Sequence, residues 1–299
     1  MDLTTAVRTA RPNFLLLTPA CVALGAGTAR WTYDRPLHGP HVALALLGAL
    51  AAHISVNALN EYADFRSGLD LHTRRTPFSG GTGALPERPA SASSALALGL
   101  ISAAFTAALG LYFLLTVGAG ILWVGLPGLV LILAYTRWIT RSPLLCLVAP
   151  GLGFGPLMVM GTDFVLTGTY SVAALAASLV PFFLVSDLLL LNQFPDVEPD
   201  RAVGRDHLLI ALGPRAGTLV YSAFLAGAYL AIVGGVWARA LPAMCLLGLL
   251  MLPPAILTVR GVWHNADRVE RLLPWMGLNV VLNLTTPLLV ALGLFLAAA

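Results

Sequence analysis

Lysine is absent from this sequence: all 17 basic residues are arginine. The bias most simply reflects a GC-rich gene and carries no mechanism. Charge of either sign is scarce, at 10% of 299 residues against 58% hydrophobic ones. Soluble globular domains carry about 25% charged residues, so that class is excluded. Cysteine is rare too. Cys21, Cys146 and Cys245 are scattered through apolar runs and match neither a metal spacing nor a disulfide framework, so buried thiols are expected. Long polar segments are also missing, which leaves no room for a sizeable soluble domain. No convincing cleavage site follows Arg8 and Arg11, which lead straight into an apolar run. That run is therefore read as a retained span. A net charge of +3 and a pI near 9.0 suit a membrane protein with basic cytoplasmic loops and give no argument for nucleic acid.

What is present is apolar sequence. Mean hydropathy is +0.84, and runs of about 20 residues recur, each long enough to cross about 30 Å of hydrocarbon as a helix. Nine spans are predicted, at about 13–30, 41–63, 93–113, 117–136, 143–163, 171–193, 217–238, 241–259 and 273–297. The expected fold is an all-α integral membrane protein, one domain over 1–299, with nine transmembrane helices around a central cavity opening to the cytoplasm. Arginine placement sets the orientation. Fourteen arginines fall at the N-terminus and in the loops after spans 2, 4, 6 and 8, against Arg30, Arg35 and Arg239 on the other side. Residues 64–92 and 194–215 are thus expected in the cytoplasm, in a cell (inner) membrane. The Gly- and Pro-rich stretches "APGLGFGPLMVMG" and "MLPPAIL" are read as kinks and close helix packing.

Two polar stretches stand out, "NEYADFRSGLDLHTRRTPFSGG" (60–81) and "NQFPDVEPDRAVGRD" (192–206). Both begin with Asn at the end of an apolar run. On a helical wheel His53, Asn57, Asn60 and Asp64 share a narrow stripe, with Glu61 at its edge. Asn192, Asp196 and Asp200 are four apart and share a face if the helix continues, but Pro195 and Pro199 argue for a kink or an end there. Carboxylates and amides in this number suit Mg²⁺, which binds few protein ligands and completes its shell with water and phosphate. Arg66, Arg74, Arg75, Arg201 and Arg205 carry forked donors for phosphate oxygens. Together they describe a diphosphate held by metal and guanidinium groups, with an apolar remainder in the bilayer.

The residues Asn60, Asp64, Gly68 and Asp70, as N-x-x-x-D-x-x-x-G-x-D, resemble the first Asp-rich motif of the UbiA superfamily of intramembrane prenyltransferases. Asn192, Asp196, Asp200, Gly204 and Arg205 resemble the second. "ARPNF", "RTPFSGG" and "AYTRW" are similar to weaker family segments. The resemblance implies an enzyme that transfers a prenyl chain from a polyprenyl diphosphate to an aromatic acceptor, with Mg²⁺ as cofactor. It implies metal ligands Asn60, Asp64, Asp70, Asn192, Asp196 and Asp200, with Asp64 and Asp196 catalytic. Substrate contacts are expected from Asn57, Arg66, Arg74, Arg75 and Arg205. Arg11 and Asn13, and Tyr135 and Arg137, compete between substrate contact and anchoring at the interface. The Gly-x-Asp ending and the "NQFPD" opening look most like the menaquinone branch, whose acceptor is 1,4-dihydroxy-2-naphthoate.

One departure is Glu61, where many members have Asp. A supporting role is expected for it, orienting an arginine or a metal-bound water. His72 is expected to be a solvated loop residue, and Asp187 to pair with a neighbouring helix. Asn279, Asn283 and Thr286 stripe one face and are read as helix–helix hydrogen-bonding groups. A terpene cyclase on the same fold, or a prenyltransferase with another acceptor, is the alternative reading. A transporter is the rival from another class, without a visible inverted repeat to support it.

Overall fold

The computed structural model describes residues 2–33 and 36–298, and Arg35 lies outside them. The described residues form helices and turns, without a strand. Eight helices are long and apolar enough to cross a membrane, joined by one shorter apolar helix. In chain order they are α1 (Pro12–Thr32), α2 (Gly39–Ser67), α3 (Pro89–Thr116), the short α4 (Ala119–Ala134), α5 (Pro143–Thr167), α6 (Val172–Ala202), α7 (Leu208–Trp237), α8 (Ala243–Asn265) and α9 (Val269–Ala297). The predicted fourth span is thus an apolar helix of only ~24 Å, short of the ~30 Å hydrocarbon core. A surface helix, Leu3–Thr9, precedes α1 and is capped by the Asp2 side chain on Thr4 N–H.

α6 is the centre of the bundle. Its apolar window is 67% buried, against 22% for α2 and α3. Leu184, Leu190 and Leu191 pack there with Leu225 and Ile232 of α7 and Met276 and Leu282 of α9. Small residues bring α5 close to α6. A Cβ at Gly151 would lie 2.1 Å from Phe182 O, and one at Gly155 2.5 Å from Ser178 O. Backbones this near need glycine, which is how bundles gain dispersion contact where lipid offers no hydrophobic drive. The same Gly/Pro stretch is π-helical over Gly153–Met160.

Three irregularities shape the polar ends. α2 closes on Gly68 in the left-handed region, followed by a 3-10 turn at Leu69–Leu71. α6 does not run through to Asp200 as one helix. Its α-helical part ends at Asn192, Phe194–Asp196 is a 3-10 turn carrying Pro195, and Val197–Ala202 resumes the helix. α7 begins at Leu208, earlier than the sequence suggests, because Gly213 and Pro214 form a kink between two helical pieces. The segment Val197–Ala202 touches Leu69–Leu71, so the two acidic stretches meet.

The cysteines are buried and unpaired, as expected. Asp187 is a correction. It is fully buried, and neither carboxylate oxygen has a hydrogen-bond partner among the described residues. Tyr221 of α7 donates to Asn279 of α9 instead, at 3.1 Å. Thr286 lies 3.5 Å from the Tyr229 hydroxyl, so two of the three striped α9 residues join helices. Asn283 donates within its own helix and lines the cavity.

Candidate active site

A cavity of about 620 Å³ runs into the bundle. Its mouth is lined by both acidic stretches, through Asn60, Asp64, Asp70, Asn192, Asp196 and Asp200. Its depth is apolar, with Val56, Phe113, Leu129, Phe154, Leu157 and Leu188 on the walls.

α2 delivers the first group because a continuous helix puts Asn60 and Asp64 one turn apart on its cavity side. Asn60 Oδ1 accepts from Arg11 Nη2 at 3.3 Å, and its amide donates to Thr136 Oγ1 at 3.2 Å. Asp70 comes from the 3-10 turn beyond Gly68. Burial is the main influence raising its pKa, to about 7, and the carboxylates of Asp64 and Glu61 add to it. The break in α6 delivers the second group. Arg205 links the two: it donates to Asp64 of the first stretch and, at 3.0 Å, to Asp200 of the second. Burial opposes the charge on Arg205, but the two aspartates outweigh it and raise its pKa. His207, buried, places Nε2 3.4 Å from Asp200 Oδ2.

The donor set fits a hard divalent cation. Asp70 Oδ2, Asn192 Oδ1 and Asp196 Oδ1 are buried oxygens without a hydrogen-bond partner among the described residues. Buried oxygens of this kind cost free energy unless something binds them. No group of three or more His, Cys, Asp or Glu among the described residues is gathered closely enough to enclose an ion alone. Mg²⁺ takes few protein ligands and completes its shell with phosphate and water, so these residues would hold it only together with such partners.

Glu61 is fully buried and occupied. It accepts from Arg11 Nε at 2.7 Å, Thr82 N at 3.0 Å and Thr82 Oγ1 at 2.7 Å. Arg11 itself sits at φ 53°, an uncommon conformation for a non-glycine residue, just before Pro12. The Thr82 carbonyl accepts from Arg8 at 2.9 Å. The loop after Asp70 is thereby strapped to α2 and to the N-terminal segment. Gly81 makes this possible: its φ is +69°, and a Cβ there would lie 3.0 Å from Asp70 Oδ1.

The remaining predicted contacts divide. Arg11, Asn13, Asn57, Tyr135 and Arg205 line the cavity. Asn57 is also tied to Ala10 O at 3.0 Å, and burial raises the pKa of the Tyr135 phenol. Arg66, Arg74, Arg75 and Arg137 do not line it. Arg74 is exposed and paired with Glu270 at 2.7 Å, Arg75 is paired with Glu87 at 3.1 Å, and Arg137 lies over the Trp138 ring. Arg66 is exposed at the end of α2, and His72 is exposed as expected. Sequence reasoning missed His207 as a site residue, although it lies two positions after Arg205, just beyond the 192–206 stretch. It also missed the Thr18–His53 pair, 2.9 Å apart, where His53 meets Phe154 edge-on.

Comparison with known proteins bears on the fold and the family. A 1,4-dihydroxy-2-naphthoate octaprenyltransferase of Bacillus subtilis (strain 168) is 27% identical over 226 residues, 74% of this chain and 70% of that one. The protein of the same description from Haemophilus influenzae (strain Rd) is 25% identical over 301 aligned residues, 96% of this chain and 94% of that one. Among solved structures, a UbiA homologue from Aeropyrum pernix K1 superposes with a TM-score of 0.68 at 18% identity, covering 95% of this chain and 98% of that one. A UbiA homologue from Archaeoglobus fulgidus bound to DMAPP and Mg²⁺ superposes with a TM-score of 0.59 at 14% identity, covering 96% and 99%. The profile of the UbiA prenyltransferase family matches residues 16–281. The chain is a multi-pass integral membrane enzyme and belongs to the UbiA prenyltransferase family.

Proposed function

We propose that the protein transfers a prenyl chain from a polyprenyl diphosphate to 1,4-dihydroxy-2-naphthoate in menaquinone biosynthesis, with Mg²⁺. The observation that carries the reading is the Arg205 bridge between Asp64 and Asp200, which assembles both acidic stretches around one cationic group at the cavity mouth. The curated relatives described as dihydroxynaphthoate octaprenyltransferases support the acceptor. The Archaeoglobus homologue, bound to an allylic diphosphate and Mg²⁺, supports the donor and the metal.

In this reading Asn60, Asp64, Asp70, Asn192, Asp196 and Asp200 hold the metal, with Asp64 and Asp196 the catalytic pair. Bound Mg²⁺ offsets the negative charge that builds on the diphosphate. Arg205 and Arg11 face that charge from the protein side, in a buried setting where such interactions count for more than in water. The allylic C–O bond breaks with its electron pair going to the diphosphate. A ring carbon of the acceptor then bonds to the allylic carbon, and the group it carried leaves without its bonding electrons, as a proton or, from the carboxylate-bearing carbon, as carbon dioxide, so that the electron pair returns to the ring. The walls at Phe154, Leu157 and Leu188 keep water from the cation. The nine apolar helices form a single catalytic domain in the cell (inner) membrane, and the arginine bias turns the cavity mouth to the cytoplasm.

The test is product analysis. Purified protein with Mg²⁺, octaprenyl diphosphate and 1,4-dihydroxy-2-naphthoate should release diphosphate and form the prenylated naphthalene. Preference for 4-hydroxybenzoate in competition would overturn the acceptor. Diphosphate release with a cyclic hydrocarbon product and no acceptor consumed would make the protein a cyclase.

A further inference from the structure

Two side chains stand out among the described residues because both of their polar atoms are buried without a hydrogen-bond partner, Asp187 and His207. Asp187 does not line the cavity. His207 does, together with Asp200, Arg205 and Thr140. Leaving both ring nitrogens dry and unpaired costs free energy, and a neutral imidazole always carries one N–H to give. An acceptor stands by: Asp200 Oδ2 lies 3.4 Å from Nε2, somewhat longer than a good N–H···O bond. The backbone aims His207 there. The helical segment Val197–Ala202 is closed by Arg205 N–H, which donates back to Asp200 O at 3.0 Å, around Gly204 at φ +76°. The chain then runs extended into His207, at φ −119° and ψ 171°. Side chains two apart on extended chain share a side, so Arg205 and His207 both turn to Asp200. Arg205 Nη1 takes Oδ1 at 3.0 Å, and His207 faces Oδ2. The segment is fastened at both ends of this step. Asp206 N–H donates to Thr140 O at 3.0 Å, and the His207 carbonyl accepts from Ile210 and Ala211 in the first turn of α7.

We propose that His207 is a positioning residue of the metal and diphosphate site: its Nε2–H donates to Asp200 Oδ2 and, with Arg205 on Oδ1, fixes the plane of that carboxylate. The proposal rests on the metal-site reading above, not on the identity of the acceptor. With the backbone fastened, a small rotation of the ring closes the gap. Hydrogen bonds of this length in enzyme sites often tighten only once substrate binds. A carboxylate gripped on both oxygens offers its remaining lone pairs in one direction, and ligands oriented in this way hold a metal more tightly than free ones.

The test measures binding without turnover. Full-length protein in detergent is titrated with Mn²⁺ in the presence of inorganic diphosphate, and free Mn²⁺ is read by electron paramagnetic resonance. His207→Phe keeps the bulk of the ring without its N–H, and His207→Gln restores an N–H near the Nε2 position. The Mn²⁺ Kd should rise about tenfold in the Phe variant, and the Gln variant should recover most of that loss. In the prenyl-transfer assay the Phe variant should lose more rate at low Mg²⁺ than at saturating Mg²⁺, and the Gln variant should narrow both losses. A Phe variant that binds Mn²⁺ like the wild type, or a Gln variant as weak as the Phe variant, would overturn the proposal. Should the Phe variant not fold, His207→Ala carries the same expectation. Wild-type protein that binds no Mn²⁺ with diphosphate removes the metal-site reading and the proposal together, whereas wild-type binding with an unchanged Phe variant removes the proposal alone.

Discussion

The two acidic stretches reach the same mouth by opposite routes. The first rides a continuous helix to Asp64 and is then strapped down, with Glu61 holding Arg11 and Thr82. The second depends on a helix that breaks, and its Asn192 and Asp196 each retain an oxygen without a partner. The first side is largely braced by the protein and keeps one buried acceptor without a partner among the described residues, Asp70 Oδ2, whereas the second keeps two and is braced at Asp200 by Arg205. The contrast separates residues that build the site from residues left free to bind.

The sharpest way to test that contrast is to remove one carboxylate charge from each side. Asp64→Asn and Asp196→Asn should each lower turnover on the order of hundredfold or more, about 3 kcal/mol of transition-state stabilisation. Near-normal turnover by either folded variant would take that residue out of the metal site. Arg205→Gln attacks the link between the two sides. It leaves Asp64 and Asp200 buried without their shared counter-charge. The KM for the diphosphate should rise on the order of tenfold or more, with the acceptor KM little changed. A larger effect on the acceptor would mean that Arg205 serves the ring and not the phosphate.

Glu61→Gln tests whether the braced side is only a brace. The amide still accepts hydrogen bonds but loses its charge beside Arg11, a change worth about 1–2 kcal/mol for a charge-assisted bond. Activity should fall by roughly tenfold, with the Mg²⁺ requirement shifting only modestly. Turnover as low as in Asp64→Asn would make Glu61 a metal ligand. The smallest expected effect is on pH. With the Asp70 pKa raised to about 7, the carboxyl is neutral below that pH and ionised above it. Because a cation needs the ionised form, the Mg²⁺ concentration for half-maximal rate should rise as pH falls from 8 to 6. Asp70→Asn should flatten that dependence, and a slope identical to wild type would exonerate Asp70.

Much of this arrangement was readable in the sequence. Apolar runs locate helices because a lipid-exposed backbone must satisfy itself within the helix. The stripe of Asn57, Asn60 and Asp64 follows from helical periodicity alone. What escaped depends on distance along the chain. Glu61 meets Arg11 fifty residues away and Thr82 twenty-one residues away. Neither partner is implied by a wheel. Arg74 and Arg137 have the right chemistry, but loop conformation turns them to solvent, and composition says nothing about direction. Asp187 marks the other limit, because a wheel predicts which way a carboxylate points without guaranteeing that anything waits there. The fourth apolar run has the hydropathy of a span without the length of one.

Thr82 is gripped from two sides, its amide and hydroxyl by Glu61 and its carbonyl by Arg8. Arg8 belongs to the surface helix Leu3–Thr9, whose Thr5, Ala6 and Thr9 are buried against the rest of the chain. Residues 2–12 are therefore mechanical parts of the reaction chamber. For anyone preparing the enzyme, a purification tag belongs at the other terminus, and a truncation reaching Arg8 would loosen the loop that roofs Asp70.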